Sequence, residues 1–266
     1  MKEVALITLH GMGRVSENYF SDLEKRLKKE LDDDWTRVSF QNVQYAKILQ
    51  EPQDELWKAI MSAPDNDVDA IRFRRFFLYG FGDAGSLEHS AHREKIKYIE
   101  VQKEIQKKLK RAYSDFGQDH TKPVVIIAQS LGGQVISNYL WDAEKDEYIF
   151  KNTDGIEPDK LNFLRLKSLK HLVTTGCNIP LFIGGISDRK CFKKPNPQFE
   201  WDNYYDPDDV LGWPLRQLGA SYNIVNDHHI NAGGFFTSWN PLSHLNYWSD
   251  NDVIKPLAKI LKNFLP

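Results

Sequence analysis

Ala128-Gln129-Ser130-Leu131-Gly132 sets a serine between two small residues at the end of an apolar run that starts at Val124. That spacing suits a strand that turns at once into a helix. The turn brings the residues two before and two after the serine face to face, and only small side chains fit there. The usual pattern has Gly at the first of these positions; here it is Ala128. Such a turn is expected to leave Ser130 Oγ exposed above the sheet. The first N–H groups of the next helix would then point at the same place and favour a developing negative charge. The chemistry available to this serine is nucleophilic attack on a carbonyl. The plain alternative is that Ser130 only caps the following helix.

Acyl transfer needs N–H donors where the carbonyl oxygen becomes an oxyanion. Leu131 N–H is one candidate. The other is Met12 N–H, in His10-Gly11-Met12-Gly13 after the apolar run Val4–Leu9. Gly11 and Gly13 would let the backbone approach a substrate closely, or mark an ordinary turn. The serine also needs a base, and the base an acid to orient it. Asp206, Asp208 and Asp209 compete for the acid; His244 competes with the pair His228-His229 for the base. The chain order is serine, acid, histidine. His10, Gly11 and Gln129 are expected to line the substrate site, with His10 as a hydrogen-bonding residue. The aspartate cluster lacks the spacing and distal Glu of a calcium loop, so no metal is expected.

These residues sit at the ends of readable elements. Buried strands are expected at Val4–Leu9, 37–45, 124–128, 171–175, 199–205 and 221–225. Tyr19, Leu23, Leu27 and Leu31 mark one helix face, and Tyr98, Val101, Ile105, Leu109 and Ala112 another. Further helices are expected at 132–141 and from about Asp252. Strands alternating with amphipathic helices argue for a mostly parallel central sheet with helices on both faces. Ligands of such sheets bind beyond the carboxyl ends of the strands.

Residues 46–92 and 178–198 are harder to place and read as candidate cap insertions in a single 1–266 domain. Pro52 and Pro64 are expected to break the first of them, with a patchy helix between. Gly80-Phe81-Gly82-Asp83-Ala84-Gly85 has the letters of a dinucleotide loop. It lacks the preceding apolar strand and the following acidic strand, so it is expected to be a flexible loop near the site, with Asp83 either capping the next element or ordering the loop. Trp201, Trp213, Trp239 and Trp248, near the Asp and His segments, suggest an apolar site.

With LHGMG, AQSLGG, NYYDPDDVLGWPL and SHLNYW, the chain resembles the α/β-hydrolase superfamily over nearly its whole length. The Asp segment is similar to that of serine lipases and phospholipases of the DDHD type, in which an aspartate precedes Val or Pro, then an aromatic and Leu. The resemblance implies Asp209 as the triad acid and His244 as the base. It implies an α/β-hydrolase fold and a serine esterase acting on a small-molecule ester or thioester, without a cofactor. A lipase, a phospholipase or an acyltransferase would use the same triad. A binding protein that kept the fold and lost catalysis is the rival of another class.

A net charge of -2 over 266 residues gives no reason to expect nucleic acid or an anionic membrane as partner. No apolar stretch approaches the length of a membrane span. Cys177 and Cys191 are too few for a disulfide framework, so a cytoplasmic location is expected. The oligomeric state is left open.

Overall fold

The computed structural model describes residues 1–13, 15–62, 69, 71–87, 96–232 and 247–266. His244, His89, His92 and Trp239 lie outside the described residues. Strands β1 (Val4–Leu9), β2 (Val38–Val43), β3 (Val124–Gln129), β4 (Leu169–Thr175), β5 (Glu200–Tyr205) and β6 (Val225–His229) form one sheet in the order β2-β1-β3-β4-β5-β6. Every neighbouring pair is parallel.

β1 and β3 are buried at every position. They read as nearly continuous apolar runs, with Thr8 and Gln129 the polar exceptions, because helices cover both faces of the sheet. Ala5, Ile7, Leu9, Ile126 and Ala128 face α4 (Ile96–Asp115) and α5 (Leu131–Lys145). Val4, Leu6, Val125 and Ile127 face α1 (Ser21–Leu31) and α8 (Asn251–Lys262). The chain runs outward in opposite directions from β1 to β2 and from β1 to β3. The crevice beyond that switch point is where open α/β sheets bind ligands. Leu9 pairs with Ala128 and Gln129 with Thr175, so β1, β3 and β4 end level there.

Several expectations are corrected. Pro52 does not break the chain: α2 (Ala46–Met61) runs through it, forfeiting one intrahelical bond. Residues 80–85 are not a loop but part of α3 (Ile71–Leu87). Gly80 and Gly82 serve packing. A Cβ on Gly80 would lie 2.6 Å from Met12 Sδ, and one on Gly82 would lie 2.9 Å from the Gln53 amide. The last strand is Val225–His229, and 220–224 form a 3-10 turn. Its polar letters, Asn226-Asp227-His228-His229, follow from its place at the sheet edge. Residues 178–198 hold one short helix, α7 (Ile179–Ile183). Trp201 belongs to the core, stacked on Phe192 with ring centroids 5.3 Å apart. No helix among the described residues is long and apolar enough to cross a membrane.

Candidate active site

Ser130 joins β3 to α5 with φ 53° and ψ -121°. A non-glycine residue in that sparsely populated region costs of order 1–3 kcal/mol and persists only where its surroundings enforce it. An N-cap serine would be extended and would bond its own helix. Ser130 does neither, since its side chain makes no cap bond. The strand-to-helix turn is therefore not a simple helix cap.

Small residues enforce the turn, as the sequence suggests. A Cβ on Gly132 would lie 2.8 Å from both Leu9 O and His10 O, so α5 can start against β1 only with glycine there. A Cβ on Gly11 would come within 3.1 Å of Ser130 Cβ and 3.6 Å of its Oγ. Ser130 is fully buried, against the expectation of an exposed Oγ. The side chain that reaches it is one the sequence did not single out: Asn178 Nδ2 donates to Ser130 Oγ at 3.3 Å.

The loop after β1 is pinned at almost every polar atom. Tyr45 donates its hydroxyl to His10 O. His10 accepts Tyr45 N–H on Nε2 at 3.3 Å and therefore donates from Nδ1 to Gly11 O at 2.8 Å. Burial lowers the His10 pKa to about 4, against the opposing Gly11 bond, so this imidazole is neutral at pH 7. Gly13 N–H donates to Asp83 Oδ2 at 2.9 Å, and Gln50 donates to Gly13 O. Gln53 Nε2 donates to Asp83 Oδ1 at 2.7 Å. Burial pushes the Asp83 carboxyl up to about 6, opposed by its bonds from Gly13, Gln53 and Gln50. Asp83 thus orders the loop, from within a helix. Met12 N–H makes no hydrogen bond to the described residues. Leu131 N–H, at the first position of α5, has no intrahelical acceptor.

The acid turn follows β5. Asp206 and Asp209 are buried, and Asp208 is exposed. Asp206 accepts Asp208 N–H on Oδ1 at 2.9 Å and Ala232 N–H on Oδ2 at 2.8 Å, tying the end of β5 to the chain after β6. Asp209 accepts Leu211 N–H on Oδ1 at 3.0 Å and the Tyr247 hydroxyl on Oδ2 at 2.9 Å. The Tyr247 hydroxyl oxygen also accepts Asp206 N–H at 2.9 Å. Gly212 fits only without a Cβ, which would meet Asp209 Oδ2 at 2.7 Å. Asp227 on β6 fixes the far side of the turn, accepting Leu215 N–H at 3.0 Å and Arg216 N–H at 2.9 Å.

This is an α/β-hydrolase fold. The strand order and the turn at Ser130 carry that assignment. No family model matches the chain, and no curated protein matches it. Among solved structures, it is similar to a carboxylesterase from Bacillus cereus, at 14% identity over 99% of this chain and 89% of that one, with a TM-score of 0.44. A dienelactone hydrolase from Anabaena variabilis matches at 11% identity over 99% and 85%, with a TM-score of 0.42. An acetyl xylan esterase matches at 10% identity over all of both chains, also at 0.42.

Within this hydrolase fold the competing His228 is engaged elsewhere, beside His171. His228 Nε2 bonds Asp202 Oδ1 at 2.8 Å, and His171 Nε2 bonds Asp202 Oδ2 at 2.6 Å, in the middle of β5. Burial would raise the Asp202 pKa, but those two bonds outweigh it and bring it to about 2. His229 is exposed. Gln129 closes β3 and is buried. Both cysteines are free and buried, and burial pushes each thiol up to about 12. Cys177 lies against α5: a methyl group at Gly133 would sit 2.6 Å from its Sγ.

Proposed function

We propose that the chain is a serine hydrolase that cleaves a small-molecule carboxylic ester or thioester. Ser130 Oγ attacks the carbonyl carbon while His244 takes its proton. Asp209 holds His244 in the tautomer that accepts it. The N–H groups of Leu131 and Met12 receive the oxyanion. Collapse of the tetrahedral intermediate forms an acyl ester on Ser130, and the leaving alcohol or thiol takes the proton from His244. Water, deprotonated by the same histidine, then releases the acid. Gly11, Gln129 and the His10 backbone line the reacting carbonyl. The chemistry as written requires no metal or organic cofactor.

The observation that carries this reading is the Ser130 backbone at φ 53°, ψ -121°, wedged between Gly11 and the start of α5. Asp209 is preferred over Asp206 because the Asp segment resembles that of the DDHD-type lipases, in which this position supplies the triad acid; each of the two carboxylates carries one hydrogen bond on either oxygen. A carboxylate has about four lone-pair sites, so Asp209 can hold a histidine beside its Leu211 and Tyr247 bonds.

The test is labelling with a fluorophosphonate probe, wild type beside Ser130→Ala, followed by p-nitrophenyl esters of rising chain length. Labelling is expected in the wild type and absent in the variant, and the chain-length profile sizes the acyl pocket. A folded wild type that neither labels nor turns over any ester would replace this reading with a non-catalytic binding protein.

A further inference from the structure

Asn178 ends the turn after β4 and opens α7. An asparagine there ordinarily turns its side-chain oxygen onto the free N–H groups of its own helix. Asn178 makes no such bond, and Leu181 N–H bonds its backbone oxygen at 3.0 Å instead. The side chain turns toward the elbow, where Nδ2 donates to Ser130 Oγ at 3.3 Å. The residue is fully buried, and its Oδ1 has no hydrogen-bond partner among the described residues. A buried amide oxygen left without a donor is costly, so such an atom calls for a reason. Oδ1 and Nδ2 share one carbon and lie roughly 2.3 Å apart, which keeps Oδ1 within about 5.6 Å of the nucleophilic oxygen.

Resting on the serine-hydrolase reading, we propose that Asn178 sets substrate specificity: Nδ2 holds Ser130 Oγ, and Oδ1 accepts a hydrogen bond from an N–H or O–H that the substrate carries beside its scissile carbonyl. Ser130 Oγ has one proton and two lone pairs. With Asn178 donating to a lone pair, the proton is left for the base. In the acyl-enzyme the carbonyl carbon is bonded to Oγ. A donor one or two atoms along the acyl group then lies a few bonds from Oγ, within reach of Oδ1. The substrate class is an amido-acyl or hydroxy-acyl ester. A plain alkyl chain would leave Oδ1 dry and unpaired, and sites built to hydrogen-bond a substrate group discriminate strongly against analogues that lack it.

The experiment compares p-nitrophenyl esters of N-acetylglycine and of levulinic acid, which match in length and differ by N–H against CH₂. Rates are corrected for spontaneous hydrolysis. The wild type is expected to favour the N-acetylglycyl ester by about ten-fold in kcat/KM, and Asn178→Ala to bring the ratio near one. Asn178→Asp keeps an acceptor and loses the donor. It should retain the preference while labelling slowly with the fluorophosphonate, and it carries the test if the alanine variant fails to fold. A wild type that labels at Ser130 but treats the two esters alike overturns the proposal and leaves the hydrolase reading standing. So does a preference that survives in Asn178→Ala, is lost in Asn178→Asp, or runs the other way. A folded wild type that does not label removes both.

Discussion

Ser130 is held by contact, and Asp209 is held by hydrogen bonds. On the serine side, Gly132 leaves no room for a methyl group and Gly11 leaves little, and the Ser130 backbone is forced to positive φ. On the acid side, Asp206, Asp209 and Asp227 gather backbone N–H groups and the Tyr247 hydroxyl around a turn. The first construction is intolerant of added atoms. The second is intolerant of lost partners and, at Gly212, of an added atom as well. Among the described residues Asp83 is the one carboxylate that works on the serine side, and it does so from α3, clamping Gly13.

The sharpest way to test this contrast is within the acid turn. Asp209→Asn is expected to lower kcat by about 10⁴-fold, because the base loses its orienting acid. Asp206→Asn should keep most of kcat and instead lower unfolding free energy by about 1–3 kcal/mol. Ester turnover and urea midpoints on both variants decide it, and an exchange of these phenotypes would move the triad acid to Asp206.

The next effect is on the serine side and depends on pH. The folded Asp83 pKa of about 6 lies above its ordinary value of 3.8, so the folded state binds the proton more tightly than the unfolded chain. The stability this contributes is full below about pH 4 and is lost as pH rises through 6, at most about 3 kcal/mol. Asp83→Asn cannot ionise and should flatten the melting profile between pH 4 and 6; an unchanged slope would assign the titration to another group.

Gly132→Ala should cost about 2 kcal/mol, since the new methyl meets two backbone carbonyls that cannot swing away. A melting temperature equal to wild type would mean that the elbow can relax. The smallest change is Tyr247→Phe, which removes one partner from Asp206 N–H and one from Asp209. It is expected to cost about 1 kcal/mol in denaturant titrations and to shift activity less than Asp209→Asn.

The same contrast explains what was legible in the sequence. Steric demands leave a signature of residue type. Val124 to Ala128 and the small residues around Ser130 announce the strand and elbow directly, and β1 is equally plain. Hydrogen-bonded constructions leave choices open. Three aspartates within four positions look alike until Ala232 and Tyr247 arrive from later in the chain. Gly80 and Gly82 misled for the same reason: they read as loop formers, yet their partners are Met12 and Gln53, far away in sequence. Asn178 gave no signal at all, because an asparagine in a Pro- and Gly-rich stretch is ordinary and only the fold brings it to Ser130.

One consequence concerns Cys177, the neighbour of Asn178, pressed between β4 and α5 with a suppressed thiolate. Alkylating reagents need a thiolate they can reach. They can meet this sulfur only in excursions that part the end of β4 from the first turn of α5. Its slow modification in the native protein is therefore a clock for the breathing of the ground beside Ser130, readable in the absence of any substrate.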